Sequence, residues 1–306
     1  MSRDWESIFR QWSGAPGKTE EDRCENAIKA IKNAVAKSPM LSKRGILVFV
    51  QGSYRNRVNV REDSDVDVGV MLYDYFLCHY PEGMKDSDFG NHTVDYGFKQ
   101  FKDELEEALV DHFGRSAVQR GNKAFDIKEN TYRVEADVVP LFEYRHYWKD
   151  KSYRCGVELI PDRGGRIQNY PERLLNSWSN IPQHYENGVS KNSDTGKSFK
   201  GVVRILKKLR NEMDEGGHAE AKSVLGFLIE CMTWTVPKDR FSRTSWDDKV
   251  QSVLEYLWSN TKTDELCKEW TEVNNFKYLF HDTQPWTRSQ AHSFIDALWD
   301  YIGVRT

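Results

Sequence analysis

The sequence predicts an α+β chain of two lobes, a mixed sheet with helices followed by an α-helical C-terminal lobe, and three observations predict it. Valines alternate with acids in Asp65-Val66-Asp67-Val68, the period-two signature of a half-buried strand. Apolar runs at 45–53 and 132–142 supply further strands. From residue 199 onward, apolar side chains recur at helical spacing. The expected division is 1–190 for the sheet-bearing lobe and 191–306 for the helical one.

Taken in order, Glu20 to Lys37 reads as a helix with Ala27, Ile28, Ile31, Ala34 and Val35 on one face. Residues 45–53 and 65–73 are strands, and 80–97 is a polar loop rich in Gly, Asp and Pro, suited to a flap beside the acidic strand. Phe101, Leu105, Ala108, Leu109 and His112 give helical spacing to 99–113, and strands follow near 116–120, 123–128 and 132–142. Asn, Ser, Gly and Lys dominate 186–198, which reads as a loop or linker. Helices are expected over 199–213, 219–235, 246–259, 263–273 and 288–302.

Composition bounds the function classes. The chain has 306 residues, 39% hydrophobic and 13% aromatic, enough for a substantial core. No apolar run approaches the length of a transmembrane helix, and Met1 to Glu6 opens no apolar leader segment, so a cytoplasmic protein without membrane attachment is expected. Five scattered cysteines without a Cys-x-x-Cys pair read as reduced thiols. A net charge of −3 argues against a global electrostatic nucleic-acid binder. One segment, Lys197 to Arg210, is locally basic: Phe199, Val202, Val203, Leu206 and Leu209 form an apolar stripe, and Lys200, Arg204, Lys207 and Lys208 line another face. Gly196-Lys197-Ser198 mimics the end of a phosphate-binding P-loop, but Lys191 stands where its first glycine belongs and no apolar strand precedes it.

The acids carry the chemistry. Alternation puts Asp65 and Asp67 on one strand face, roughly 6.5–7 Å apart, with the valines turned the other way. Asp137 lies about seventy residues on, in the second apolar run Val134 to Leu141. If those strands are neighbours, three carboxylates converge and repel unless cations neutralise them. Hard oxygen donors suit Mg²⁺ or Mn²⁺. Two such ions about 3.5–4 Å apart clamp an in-line phosphoryl displacement. Asp65 and Asp67 would serve the ions on the triphosphate side, and Asp137 the ion that activates the attacking hydroxyl. Gly52-Ser53 follows the apolar run Gly45 to Val50, where glycine lets backbone N–H groups approach a phosphate and Ser53 adds a donor. Each piece alone has a plainer reading, a solvated strand face or an ordinary turn; the ordered set is what argues for nucleotidyl transfer.

Gly52-Ser53, Asp65-Val66-Asp67 and Asp137 together resemble the polymerase-β-type nucleotidyltransferase superfamily, and more narrowly the CD-NTases, bacterial relatives of cyclic GMP–AMP synthase and oligoadenylate synthetase. Val203 to Leu209 is similar to the family's spine-helix segment, Lys222-Ser223-Val224-Leu225 with Glu230 to its Lys-Ser…Glu helix, and Trp178-Ser179-Asn180-Ile181-Pro182 to its lid. The resemblance implies a bilobed polymerase-β-like palm, with the helical lobe completing the nucleotide pocket. It implies that Gln51, Gly52, Ser53, Lys207, Ser223 and Asn180 contact nucleotide, and that Asp65, Asp67 and Asp137 are catalytic and hold two Mg²⁺ or Mn²⁺ ions. Ile181 and Val224 depart from the family pattern, at the lid and at a position often aromatic. Asn180 leans toward a pyrimidine-containing product.

The expected function is the joining of NTPs into a cyclic di- or trinucleotide second messenger with release of pyrophosphate, in antiphage signalling with operon-encoded effector or regulator proteins. Activation by double-stranded DNA is not expected, since no His/Cys set at zinc spacing is visible. Two alternatives stay open: a linear oligonucleotide synthase or a transferase acting on RNA, protein or a small molecule, and a non-catalytic nucleotide or RNA sensor on the same fold.

Overall fold

A computed structural model describes residues 3–60, 65–169, 183–275 and 277–304. In chain order, α1 (Trp5–Trp12) is capped by the Asp4 carboxylate and is followed by α2 (Lys18–Lys37). Strand β1 (Ile46–Gln51) runs into the single turn α3 (Gly52–Arg55), then β2 (Val66–His79) and α4 (Phe98–Phe113). Strands β3 (Val118–Arg120), β4 (Phe125–Ile127), β5 (Ala136–Tyr147), β6 (Tyr153–Leu159) and β7 (Ile167–Asn169) come next. Helices α5 (Gln183–Asp194), α6 (Ser198–Glu215), α7 (Ala219–Lys222), α8 (Gly226–Thr235), α9 (Trp246–Asn260), α10 (Asp264–Cys267) and α11 (Arg288–Tyr301) complete it.

These elements form two compact units, neither continuous in sequence. One comprises Met1–Pro16, Asn56–Asp63 and Gln183–Thr306; the other comprises Gly17–Arg55 and Ser64–Pro182.

The second unit is built on a mixed sheet, seven-stranded among the described residues. Its order is β1-β2-β5-β4-β3, with β6 on β5 and β7 on β6. β2 and β5 run parallel; β1–β2, β4–β5 and β3–β4 are antiparallel. Val66, Val68 and Val70 are each 0% exposed, so their face of β2 is core and Asp67 takes the other. Ala27, Ile31 and Ala34 of α2 and Phe101, Leu105 and Leu109 of α4 share that core. His112, expected on the buried stripe of α4, is exposed.

In the helical unit, α6 is the central element, with Phe199, Val202, Val203, Leu206 and Leu209 all buried as the stripe predicts. On its basic face, Lys200, Arg204 and Lys207 are buried as well, and Lys208 is half-buried. Arg204 is 8% exposed and donates from Nε to the Ser13 carbonyl at 2.9 Å and from Nη1 to the Arg57 carbonyl at 2.7 Å. Arg204 therefore ties the N-terminal segment and residues around Val58 to α6, rather than facing solvent.

Three sequence expectations need correction. Residues 186–198 are mostly helix, not linker. Their polar side chains find fixed acceptors: Asn187 Nδ2 on the Val273 carbonyl at 2.6 Å, Lys191 Nζ on the Val236 carbonyl at 2.6 Å. Tertiary hydrogen bonds thus override weak helix propensity. The helix breaks at Thr195–Lys197, where Gly196 and Lys197 take positive φ. The helix expected over 219–235 is interrupted at Ser223–Leu225, where Leu225 is extended and Arg210 Nε takes the Val224 carbonyl at 2.8 Å. The helix expected over 263–273 stops at Cys267, because Asn275 takes a left-handed turn that pairs Thr271 with Tyr278. In addition, β2 runs on to His79 and β6 and β7 join the sheet, beyond the strands read from the sequence.

Candidate active site

Strand register lines up polar residues across the sheet. Gln51 on β1 lies opposite Asp67 on β2, Asp67 opposite Asp137 on β5, Asp137 opposite Asp126 on β4, and Asp126 opposite Gln119 on β3. Register partners on adjacent strands share a face, with strands about 4.8 Å apart. The row therefore holds three neighbouring carboxylates bracketed by two amides. Asp65 precedes β2 and is exposed, while Asp67, Asp126 and Asp137 are half-buried.

The electrostatics follow from that crowding. Burial, then the charges of Asp67, Asp126 and Asp65, push the Asp137 carboxyl up to about 7. Burial and the neighbouring Asp65, Asp126 and Glu129 raise Glu135 as well. Among the largest influences on Asp137, none is a cation.

Gly52 serves this row directly. It ends β1 with φ of 68°, and a β-carbon there would overlap the Asp67 carboxylate. Only glycine combines the left-handed backbone with room for that side chain. Ser53 follows in the same turn, half-buried. Gly52 thus admits Asp67 to the row, beyond the phosphate approach expected of it from the sequence.

Among the described residues, no three acidic, His or Cys side chains enclose a metal position by themselves. The donor set still fits a divalent cation of the hard class. Mg²⁺ typically binds through one or two carboxylates, keeping waters and substrate phosphate oxygens as its other ligands. A row of acids whose charges raise the proton affinity of Asp137 is the surface such an ion would neutralise.

The other predicted residues lie elsewhere. Lys207 is on α6, 8% exposed, with Nζ 3.9 Å from Glu230 Oε2, and its stem runs beside Gly226 at the start of α8. Glu230 is 2% exposed and also meets His184 Nε2 at 2.9 Å. Burial pushes the Glu230 carboxyl up, but His184, Lys207 and Lys200 together outweigh it and hold it low. Ser223 is exposed in the turn after α7. Lys207 and Ser223 belong to the helical unit and the acid row to the sheet unit. Asn180 and the rest of Trp178–Pro182 lie outside the described residues.

Two residues escaped the sequence reading. Asp126 sits between buried Phe125 and Ile127, a short copy of the Val-Asp-Val pattern that would have flagged it. His184 carried no such signal, since its partner Glu230 is 46 residues away.

Comparison with known proteins gives the family. Residues 186–303 match the cGAS/DncV-like nucleotidyltransferase C-terminal helical domain. The chain is 43% identical to the cyclic dipyrimidine nucleotide synthase CdnE of Legionella pneumophila, over 99% of both chains. It is 37% identical to the synthase of the same name from Cecembia lonarensis, again over 99% of both. Among solved structures, it matches the Elizabethkingia meningoseptica CdnE cyclic dinucleotide synthase with GTP and Apcpp at a TM-score of 0.78 and 30% identity, covering 97% of this chain and 98% of that one. With the polymerase-β-like sheet, its row of acids and whole-length identity all in agreement, the chain belongs to the CD-NTase family and is a nucleotidyltransferase that joins NTPs into a cyclic nucleotide.

Proposed function

We propose that this chain joins two pyrimidine nucleoside triphosphates into a cyclic dinucleotide, with the acid row as its catalytic centre. The observation that carries the site is the register of Asp67 beside Asp137 on parallel strands. The pyrimidine assignment is supported by two whole-length relatives that are cyclic dipyrimidine nucleotide synthases, and by the lean that Asn180 gives.

In each round, a ribose hydroxyl of the acceptor forms a bond to the donor α-phosphorus, the bridging bond to the β-phosphate breaks, and pyrophosphate leaves. The hydroxyl proton passes to solvent. Asp65 and Asp67 would hold divalent cation for the triphosphate, and Asp137 for the acceptor hydroxyl; two Mg²⁺ or Mn²⁺ ions are proposed. Bound there, the metal supplies Lewis-acid stabilisation of charge on the reacting oxygens. The Gly52 backbone and the Ser53 hydroxyl donate to phosphate, and Gln51 orients nucleotide at the edge of the row. Lys207 supplies positive charge to the triphosphate and Ser223 a hydroxyl donor. The linear intermediate then rebinds for closure. The proposed setting is the cytoplasm, where NTPs are at hand and the product would signal phage infection to an operon-encoded effector.

The test is incubation with labelled NTPs and Mg²⁺ or Mn²⁺, phosphatase treatment and mass spectrometry. A phosphatase-resistant cyclic product of pyrimidine nucleotides is expected. A purine-only product would overturn the base assignment, and a linear product or label on RNA or protein would overturn cyclisation.

A further inference from the structure

Asp126 is the acid of the row that the motif does not explain. Strand β4 is only three residues long, and Phe125 and Ile127 on either side of Asp126 are 0% exposed. Alternation therefore commits Asp126 to the polar face. It lies in register with Asp137, on the side away from Asp67, and its carboxyl is within hydrogen-bonding reach of the Asp137 carboxyl. Two strand spacings, about 9–10 Å, separate it from Asp67. A cation shared by Asp67 and Asp137 would thus occupy one flank of Asp137, and Asp126 occupies the other. Ligating carboxylates are commonly held by a second hydrogen-bonding group that fixes which oxygen faces the metal.

We propose that Asp126 is a positioning residue for Asp137: held in register on β4, it shares one proton with the Asp137 carboxyl, and that hydrogen bond fixes the orientation in which the other Asp137 oxygen faces a divalent cation on the Asp67 side. The inference rests on the reading of Asp137 as a cation ligand. It makes no claim that Asp126 touches metal or substrate.

The experiment is Mn²⁺ titration by calorimetry on the full chain, with Asp126→Ala, Asp126→Asn and Asp137→Asn beside the unsubstituted protein. Loss of a group that orients a metal ligand costs roughly 10–100-fold in metal affinity, so Asp126→Ala should weaken Mn²⁺ by that factor. Asp126→Asn still offers a hydrogen bond to Asp137 and should stay within about threefold. In turnover, Asp126→Ala should raise the Mn²⁺ concentration for half-maximal rate while leaving the NTP KM at saturating metal unchanged. Equal loss in Asp126→Ala and Asp126→Asn would overturn the proposal, because charge rather than orientation would then matter. Unchanged Mn²⁺ affinity in both would overturn it as well. Asp137→Asn separates the two layers: if it binds Mn²⁺ like the unsubstituted chain, the underlying reading of Asp137 fails whatever Asp126 does. Should Asp126→Ala not fold, Asp126→Ser carries the same comparison.

Discussion

Among the described residues of the sheet unit, two acid-rich neighbourhoods hold their carboxyls in opposite directions: one lowered, the other raised. In the first, Arg120 Nη1 lies 2.7 Å from both Asp103 and Glu106, and its Nε lies 2.9 Å from Asp162. Lys102, with a side chain 1% exposed, adds a contact to Asp162 at 3.0 Å. Hydrogen bonding to Arg120 holds Asp162 down to about 2. Burial pushes Asp103 and Glu106 up, but hydrogen bonds from Arg120, with Lys99 and Arg115 respectively, outweigh it. In the second neighbourhood, burial and three other aspartates push Asp137 up to about 7. The first group is a staple, each acid delivered with its cation. The second crowds aspartates whose charges add to burial in raising Asp137, an arrangement suited to a site that takes a metal ion and a nucleotide.

That contrast can be broken by substitution, and the largest effect should come from the acid row. Asp67→Asn or Asp137→Asn removes a proposed cation ligand, worth about several kcal/mol of transition-state stabilisation, so product formation should fall at least about 10³-fold. Circular dichroism and thermal unfolding should show the fold intact. Gly52→Ala comes next. Its β-carbon would displace the Asp67 carboxylate, and such misplacement costs about 10²-fold in rate; the left-handed backbone adds roughly 1–2 kcal/mol of instability, read by denaturant unfolding.

Arg120→Ala should show the reverse pattern. Its partners are partly exposed, which screens the pairs, so a loss of about 1–2 kcal/mol is expected. The turnover number should stay within about threefold, since no reacting group is touched.

The subtlest effect is on pH dependence. Asp137 in the folded chain holds its proton to about pH 7, against an ordinary value of 3.8. The folded state therefore binds more protons across that window, and metal-free stability should fall as pH rises from about 4 to about 7. Asp162 has the opposite sign. Its carboxyl is lowered from 3.8 to about 2, so its contribution is present above about pH 4 and lost as pH falls toward 2. Thermal unfolding of Asp137→Asn should show the first slope flattened and the second unchanged, and Mg²⁺ should stabilise the unsubstituted chain more at pH 8 than at pH 5.

What the sequence disclosed divides along the same line. Asp65-Val66-Asp67 was legible because strand alternation is local, and the buried valines match it. The α6 stripe was legible for the same reason at helical period. Register was not: nothing local says that Asp67 faces Asp137 or that Asp126 joins them. The use of Arg204 on the basic face of α6 was not legible, because its acceptors are 191 and 147 residues away. Helix α5 was hidden by its polar composition, since what holds Lys191 and Asn187 is carbonyls 45 and 86 residues on. Sequence periodicity reports an element's own faces, whereas long-range hydrogen bonds decide how a polar segment is used.

The most direct test is calorimetric titration of Mn²⁺ into the metal-free chain at pH 8, alone and as the Asp67→Asn with Asp137→Asn double variant. The account predicts saturable binding by the unsubstituted chain and none by the folded double variant. Equal Mn²⁺ affinity in the two proteins would contradict it.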